Sequence, residues 1–257
     1  MGKTALITGA SSGLGLEFSR IFARNGYDLV VVARSEGKLY KLKADLESAY
    51  GIQVFVCSCD LSERDAALDV FDYCLQNDLR VECLVNNAGF GDQSNFLDAD
   101  WQKQYEMVQV NIVAMMQLTK CFLKPMISSG EGRILNLSSV AAFCAGPRMS
   151  VYYASKDFVR SFSEAVAEEV KGSGVTVTAL CPGPTATGFE KAAEMKNSRM
   201  FTFFKPASAR EVAEAGYRAM MHGRVLYYYG AATRLMNVCS RIFPRRVSRE
   251  FAKKING

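Results

Sequence analysis

The chain has 257 residues, which one doubly wound α/β domain can carry and which is long enough to bury a large core without a disulfide or a metal. With 49% hydrophobic and 22% charged residues it has the composition of a globular protein, and a net charge of +5 is too small to indicate nucleic-acid binding. No apolar run approaches the length of about 18 residues that defines a candidate transmembrane helix.

The N-terminus and the counts of cysteine and histidine narrow the class of protein further. The first residues run directly into a strand pattern without the apolar core of a secretory signal, so we expect a cytoplasmic protein with reduced thiols. The eight cysteines show no C-x-x-C spacing, and we expect them to be small packing side chains. His222 is the only histidine, which excludes a His-rich metal site and a Ser-His-Asp triad on any other histidine. We predict no metal site.

Strand and helix patterns alternate along most of the chain. Short apolar runs, such as the sequence DLVVV at 28–32, are typical of strands that are covered on both faces. The predicted strands are 4–8, 28–32, 54–57, 83–85, 133–137, 175–180 and 225–229. The first predicted helix follows the first strand and carries Leu14, Phe18, Ile21 and Phe22 on one face. The others are predicted over 35–50, 62–77 with Ser62 as N-cap, 98–124 ending near Pro125, 151–170 and 208–221.

This alternation predicts the fold class α/β: a single doubly wound domain with a seven-stranded parallel sheet and right-handed crossovers. The sequence contains no internal repeat and no Pro/Gly/Ser-rich linker, so it indicates no domain boundary.

A glycine-rich turn separates the first strand from the first helix. It reads Thr8-Gly9-Ala10-Ser11-Ser12-Gly13-Leu14-Gly15, the pattern T-G-x-x-x-G-x-G. Glycines let the backbone turn tightly and approach a ligand, and the helix N-terminus offers N–H groups and a positive dipole end to a pyrophosphate. This context predicts a dinucleotide-binding loop, and the alternative is a plain glycine-rich turn.

The end of the second strand indicates which dinucleotide binds. A carboxylate there would accept a hydrogen bond from a ribose 2′-hydroxyl, but here the strand ends at Arg34 and the first carboxylate is Glu36. A guanidinium suits a 2′-phosphate, and Ser11 adds a hydroxyl donor. We therefore predict NADP(H), with a solvated surface arginine as the alternative.

Tyr152 and Lys156 open a predicted helix and are four residues apart, so they share one helix face. A free tyrosine titrates near pH ~10. A neighbouring lysine and a positive nicotinamide ring would favour the phenolate and lower that pKa. The pair is suited to general acid–base catalysis on a carbonyl or alcohol oxygen, although Tyr and Lys at this spacing often form only a surface pair.

These motifs, together with Asn86-Asn87-Ala88-Gly89 after the fourth strand and Ser139 thirteen residues before Tyr152, resemble the classical short-chain dehydrogenase/reductase (SDR) family between Lys3 and Tyr229. The resemblance implies a Rossmann-type domain. It implies that Ser139 binds the substrate oxygen and that Asn111 holds a water that relays protons to Lys156. The implied catalytic residues are Asn111, Ser139, Tyr152 and Lys156.

The resemblance also implies a cofactor site. Asp60-Leu61 would lie beside adenine, and Thr187, in the loop P-G-x-x-x-T, would meet the nicotinamide carboxamide. The implied cofactor-binding residues are Gly9, Ser11, Ser12, Gly13, Leu14, Gly15, Arg34, Asp60, Leu61, Asn87, Ala88, Gly89, Tyr152, Lys156, Pro182, Gly183, Thr185 and Thr187.

These features predict an NADP(H)-dependent oxidoreductase that interconverts a carbonyl and a secondary alcohol. A lid near 188–207, which contains Phe201-Thr202-Phe203-Phe204, favours a lipophilic substrate such as a steroid, an acyl compound or another ketone. The alternative is a non-catalytic NADP(H)-binding regulatory or membrane-associated protein. The resemblance implies a homo-oligomer, a dimer or a tetramer, that pairs through the helices at 98–124 and from Val151.

The segment 231–257 departs from the alternating pattern of residues 1–230, and we treat it as a basic amphipathic extension of the same domain. Seven basic residues and Glu250 follow position 233, a net charge of +6 against −1 for the preceding 233 residues. An apolar stripe at helical spacing ends at Pro244 and contains Leu235, Val238, Cys239, Ile242 and Phe243. Such a helix is typical of weak contact with an anionic membrane surface, so the protein is expected to be cytoplasmic and able to bind peripherally to a membrane. Closure of the substrate pocket, a dimer contact and steering of an acidic substrate are the alternatives.

Overall fold

The structure is a computed structural model that describes residues 2–189, 193 and 206–256. The predicted lid near 188–207 lies for the most part outside the described residues, and Phe201-Thr202-Phe203-Phe204 lies wholly outside them.

Seven parallel strands form one sheet in the order β3-β2-β1-β4-β5-β6-β9, which confirms the predicted fold class. They are β1 (Thr4–Thr8), β2 (Asp28–Ala33), β3 (Val54–Ser58), β4 (Val81–Asn86), β5 (Gly132–Leu137), β6 (Val175–Pro182) and β9 (Leu226–Tyr229). A separate pair of two-residue strands, β7 (Thr185–Ala186) and β8 (Ala207–Ser208), was not predicted.

The strand order reverses between β1 and β4. From β1 the chain runs outward through β2 and β3, and it then returns to the other side of β1 to form β4. Crossovers on the two sides of this point leave a crevice outside the carboxyl ends of the strands, where ligands bind in doubly wound sheets. The glycine-rich turn leaves β1 at this crevice.

Helices cover both faces of the sheet. They are α1 (Gly13–Arg24), α2 (Glu36–Tyr50), α3 (Ala66–Gln76), α4 (Trp101–Val108), α5 (Met115–Ser129), α6 (Ser150–Glu169), α7 (Ala209–Met221), α8 (Ala231–Ile242) and α9 (Arg245–Asn256). A short 3₁₀ turn, Val140–Phe143, follows β5. Within β1, Ala5 and Ile7 pack in the core shared with α1, α2 and α7, whereas Leu6 packs in the core shared with α3 and α5. Both faces of the central strands are therefore buried, which explains their uninterrupted apolar sequence.

The long helix predicted over 98–124 differs from expectation at two points. Residues Gln109–Ala114 form a π-helical turn between α4 and α5. The helix also does not stop near Pro125: it continues to Ser129 and ends at Gly130, whose φ of +73° provides a left-handed C-cap. Phe122 and Met126 are buried on either side of the proline, so packing outweighs the lost backbone hydrogen bond.

The predicted N-cap at Ser62 is wrong. Asp60 Oδ1 accepts hydrogen bonds from the backbone N–H and the hydroxyl of Ser62, at 3.0 and 2.8 Å. This local turn competes with helix formation, and α3 begins only at Ala66.

The C-terminal segment forms two helices rather than one. Helix α8 ends before Pro244 as predicted, and α9 was not anticipated because its sequence is strongly polar. Among the described residues, no helix is both long enough and apolar enough to cross a bilayer.

Candidate active site

A cleft of about 420 Å³ opens at the carboxyl edge of the sheet. Eighteen of the twenty residues predicted for catalysis or cofactor binding line this cleft. They are Gly9, Ser11, Ser12, Gly13, Leu14, Arg34, Asp60, Leu61, Asn87, Ala88, Gly89, Ser139, Tyr152, Lys156, Pro182, Gly183, Thr185 and Thr187.

Gly15 and Asn111, the remaining predicted site residues, lie behind this lining.

Thr8 and Asn87 hold the glycine-rich turn against the end of β4. The Thr8 hydroxyl accepts hydrogen bonds from the backbone N–H groups of Asn87 and Ala88, at 3.0 and 2.9 Å, and donates to the carbonyl of Val85. In return, Asn87 Nδ2 donates to the carbonyl oxygens of Thr8 and Gly9, at 2.8 and 3.3 Å. The glycine-rich turn and the segment after β4, which both line the cleft, are therefore fixed to each other.

Gly15 makes this close approach possible from behind the cleft. A Cβ atom at this position would overlap the carbonyl oxygen of Gly9 and would lie 2.6 Å from Asn87 Nδ2. Gly9 itself has a φ of +66°, in the left-handed region that favours glycine. The glycines at 9 and 15 are thus required by backbone conformation and packing alone.

The N-terminus of α1 is available to an anion. Its N-cap, Ser12, makes no side-chain capping hydrogen bond, and the first turn carries no acidic residue. The free N–H groups and the positive dipole end therefore face the cleft without a competing carboxylate from this turn. This arrangement fits the pyrophosphate of a dinucleotide.

Arg34 and Asp60 lie at the far end of the cleft, where β2 and β3 end. Arg34 Nη1 is 3.6 Å from Asp60 Oδ2, and the two side chains are 72% and 38% exposed. Partial burial raises the pKa of Asp60, but hydrogen bonds from Ser62 and the charge of Arg34 outweigh it and hold that pKa below its usual value. The long, charged side chain of Arg34 is therefore held near the cleft only by a weak, solvent-screened ion pair.

Tyr152 and Ser139 meet at the other end of the cleft. Burial raises the pKa of the Tyr152 hydroxyl to about 12, and a hydrogen bond with Ser139 partly opposes this rise. The sequence predicts that Lys156 and a nicotinamide ring lower the pKa of Tyr152. In the protein without a cofactor this pKa is raised instead. At neutral pH the tyrosine holds its proton.

Lys156 is buried one helical turn from Tyr152. Its Nζ donates a 2.9 Å hydrogen bond to the carbonyl of Leu137 and lies 5.8 Å from the centre of the Tyr152 ring. Burial lowers the pKa of Lys156 to about 8. Ser138 fixes the same turn of α6, because its hydroxyl donates to the Lys156 carbonyl at 2.7 Å.

Asn111 sits in the π-helical turn, behind the cleft rather than in it. Its Nδ2 donates to the carbonyl of Phe90 and to Ser155 Oγ, at 2.9 and 3.0 Å, and its Oδ1 accepts from the Phe90 N–H. A Cβ at Gly89 would lie 2.8 Å from Asn111 Oδ1 and 3.3 Å from Lys156 Nζ, so the missing side chain of this glycine leaves open the space between the amide and the lysine. π-Helical turns often occur at functional sites.

Thr187 and Phe189 line the cleft after β6. Thr187 lies against the glycine-rich turn, with its Cβ 3.0 Å from where a Cβ of Gly13 would be. The ring of Phe189 packs on the ring of Tyr152, with centroids 5.2 Å apart. Thr187 therefore lies beside the glycine-rich turn, and Phe189 lies beside Tyr152.

The C-terminus supplies a feature that sequence reasoning missed. Asn256 is fully buried: its Oδ1 accepts from the Tyr153 hydroxyl at 3.2 Å, and its Nδ2 donates to the carbonyl of Pro147 at 2.9 Å. Its own carbonyl accepts a 2.6 Å hydrogen bond from Gln93 Nε2. Ala252, one turn earlier, packs in a cluster with Met149 and Tyr153. The end of α9 therefore braces three segments around Tyr152, and no local sequence pattern could have signalled contacts across more than a hundred residues.

Comparisons with known proteins agree with this geometry. The sequence profile of the short chain dehydrogenase family matches residues 3–198. Over 217 residues the chain is 32% identical to 17-beta-hydroxysteroid dehydrogenase type 3 of Mus musculus, a match that covers 82% of this chain and 70% of the relative. It is 31% identical over 195 residues to the very-long-chain 3-oxoacyl-CoA reductase of Anas platyrhynchos, covering 74% of this chain and 62% of that relative, which is less than two thirds of its length.

Among solved structures, the chain is similar to a short-chain dehydrogenase from Sphingobium yanoikuyae in complex with NADPH. The two are 29% identical, the match covers 93% of each chain, and the TM-score is 0.83.

We predict that Gly15→Ala destabilises the protein and weakens dinucleotide binding, because the added Cβ overlaps the Gly9 carbonyl. Overpacking of this kind is expected to lower the melting temperature by roughly 5 °C. Gly37→Ala is the matched control: nothing lies within 4 Å of that Cβ, and alanine is the better residue inside α2. Calorimetry and a fluorescence titration with NADPH measure both effects, and a Gly15→Ala protein as stable as Gly37→Ala would contradict the packing argument.

We also predict that Lys156 makes stability depend on pH. Burial lowers its pKa from 10.5 to about 8, so between these values the unfolded chain holds more protons at this position than the folded chain. The free energy of unfolding should therefore rise with pH across this window, a slope that Lys156→Met removes. Urea denaturation of the cofactor-free proteins gives the difference, with Lys38→Met, an exposed lysine on α2, as control. A difference between parent and Lys156→Met that stays constant from about pH 7 to pH 10 would refute the assignment.

Proposed function

The chain belongs to the short-chain dehydrogenase family, and we propose that it is an NADP(H)-dependent reductase that interconverts a carbonyl compound and a secondary alcohol. The observation that carries this proposal is the meeting of Ser139, Tyr152 and Lys156 in the same cleft as the glycine-rich turn and Arg34. A bound nicotinamide would supply or accept the hydride.

Tyr152 is the proposed general acid for carbonyl reduction. Its raised pKa keeps the hydroxyl protonated at neutral pH, which is the state needed to give a proton to a carbonyl oxygen. Ser139 is hydrogen-bonded to the Tyr152 hydroxyl and would hold the carbonyl oxygen of the substrate in place. In the oxidative direction Tyr152 must instead accept a proton, which requires the phenolate form that the raised pKa disfavours at neutral pH.

Lys156 is proposed to stabilise the phenolate that remains after proton transfer. Its protonated amine lies 5.8 Å from the ring centre and attracts the negative charge of the phenolate through a medium of low polarity. Asn111 does not touch the cleft, so we assign it a positioning role: it holds the backbone of Phe90 and the Ser155 hydroxyl beside Lys156. A water relay through Asn111 stays a proposal.

The preference for NADP(H) rests on Arg34. Its guanidinium is exposed at the end of β2 and is paired only weakly with Asp60, so a 2′-phosphate could displace that carboxylate as its partner. The NADPH complex of the Sphingobium protein supports this choice. Asp60 would then turn to the adenine side, as the family resemblance implies.

A lipophilic substrate is supported by the apolar surroundings of Tyr152. Val140, Ala141, Met149 and Phe189 line the same cleft, and the last three belong to one apolar cluster with Tyr152. A second cavity of about 270 Å³ shares Val140 with this wall and is lined mainly by apolar residues. The two relatives are named for steroid and very-long-chain acyl substrates, which agrees with this class.

A homo-oligomer is proposed from the exposed apolar side chains of α4 and α6. Trp101 and Tyr105 on α4 are 73% and 45% exposed, and Phe158 on α6 stacks on Phe162 while remaining 37% exposed. Aromatic residues with this exposure are typical of surfaces that pair with another subunit.

We predict that the parent protein binds NADPH more tightly than NADH by about tenfold to a hundredfold, because charge-assisted hydrogen bonds to Arg34 form only with the 2′-phosphate. Arg34→Asp should reverse this preference, since it removes the cation and adds a second carboxylate beside Asp60. Arg64→Asp, an exposed arginine in the turn before α3, is the control with the same change of charge. Fluorescence titrations with both cofactors measure the effect, and equal affinities in the parent would refute the assignment.

We predict that Tyr152→Phe lowers kcat for carbonyl reduction by about a hundredfold to ten-thousandfold while leaving NADPH affinity nearly unchanged. The variant keeps the ring and loses only the hydroxyl. Tyr153→Phe is the matched control on the next residue, because it removes a hydroxyl that bonds Asn256 and does not line the cleft.

The measurement is NADPH oxidation across a panel of steroid, acyl-thioester and small ketones. Near-normal kcat in Tyr152→Phe on the best substrate would overturn the mechanism. If no carbonyl compound is reduced while NADPH still binds, the protein is instead a non-catalytic NADP(H)-binding protein.

A further inference from the structure

Helix α8 presents three of its large apolar side chains to solvent instead of to the protein. Leu235, Val238 and Ile242 recur at helical spacing and are 63%, 49% and 72% exposed. Thr233 is the buried residue of this helix. A surface helix normally turns its apolar stripe toward the core, so the orientation of α8 is the reverse of the usual one.

The exposed apolar surface continues into α9. Phe243, Val247 and Phe251 are each about half exposed, and with the three residues of α8 they form what we term the apolar face. Helix α9 is nevertheless anchored, because its opposite side buries Ala252 and Asn256 against the active-site walls. The apolar face therefore belongs to a helix that is packed on the protein and not to a detached one.

Arginines border the apolar face. Arg234 and Arg241 lie on α8, and Arg245, Arg246 and Arg249 lie on the first turns of α9; all five are exposed. In the part of the chain that the structure describes, none of them forms an ion pair, and Arg234 donates only to the carbonyl of Tyr228. Residues from 234 onward carry +6, against −1 for the rest of the chain.

We propose that this surface docks the protein onto an anionic membrane. The apolar face would enter the boundary between headgroups and acyl chains, and the arginines would meet lipid phosphates. A second copy of the chain fits less well, because a two-fold contact would set the same arginines against each other. An anionic lipid surface offers phosphates to the arginines and acyl chains to the apolar face at the same time.

Docking does not depend on the proposed activity, but it has a consequence for it. Phe251 belongs to the apolar face and also lines the 270 Å³ cavity beside the cleft, together with Met236 and Ile255. The docked protein would hold that cavity close to the lipid boundary, where lipophilic compounds concentrate.

The test is co-sedimentation of the full chain with phosphatidylcholine vesicles, with and without about one-third phosphatidylglycerol. We expect binding to the anionic vesicles at about 0.1 M salt and its loss near 0.5 M. Arg246→Gln combined with Arg249→Gln should lower the partition by about fivefold per charge removed. Lys38→Gln combined with Lys41→Gln removes the same charge from exposed positions of α2 and should leave binding unchanged.

The apolar contribution is tested by Leu235→Ser combined with Ile242→Ser. This variant should weaken vesicle binding, whereas Phe96→Ser combined with Leu97→Ser, at exposed positions before α4, should not. Absence of binding to anionic vesicles at low salt, or equal binding to neutral ones, overturns the proposal. Self-association without vesicles that Leu235→Ser with Ile242→Ser abolishes would also overturn it, because a second copy would then cover the face.

Discussion

The reciprocal hydrogen bonds between Thr8 and Asn87 are the constraint on which the rest of the site depends. They fasten the end of β1 to the end of β4, the two strands at which the sheet changes direction. The turn after β1 can follow this path only because Gly9 and Gly15 leave room for the Asn87 amide. The cofactor cleft is thus set by strand order and by two missing side chains, before any residue that contacts a ligand is considered.

Burial gives the two ionisable groups of the site their character. It favours the neutral form of both Tyr152 and Lys156, so the pKa of the acid rises and that of the base falls. The sequence spacing that predicts their contact assumes that the lysine charge dominates, whereas in the protein alone the loss of water around the tyrosine is the larger effect. A pair tuned in this way depends on the charges that a ligand brings.

Much of this structure could be predicted because it is encoded locally. Uninterrupted apolar runs mark the seven strands, and the glycine spacing marks the turn after β1. The features that escaped prediction depend on distance or on small changes of geometry. The amide of Asn256 meets Gln93 and Tyr153 across more than a hundred residues, and helix α9 is too polar for periodicity to mark its buried side. Asn111 was predicted as a catalytic residue that holds a relay water, and only the folded chain shows that its side chain is absent from the cleft lining and is bonded to Phe90 and Ser155 instead.

The π-helical turn at Gln109–Ala114 divides the helix before β5 into two halves that are rotated relative to each other about the helix axis. A π turn holds about one residue more than an α turn, which rotates the helix after it by about 100° relative to a continuous α-helix. Helix α4 can therefore pack on α6 while α5 packs on α3 and the sheet, although both belong to one rod. The number of residues in this segment therefore decides which side of each half faces the core. Removing one residue would leave an unbroken helix but would abolish the rotation between the two halves. If α5 kept its place, α4 would then turn Gln104 and Met107 out of the core.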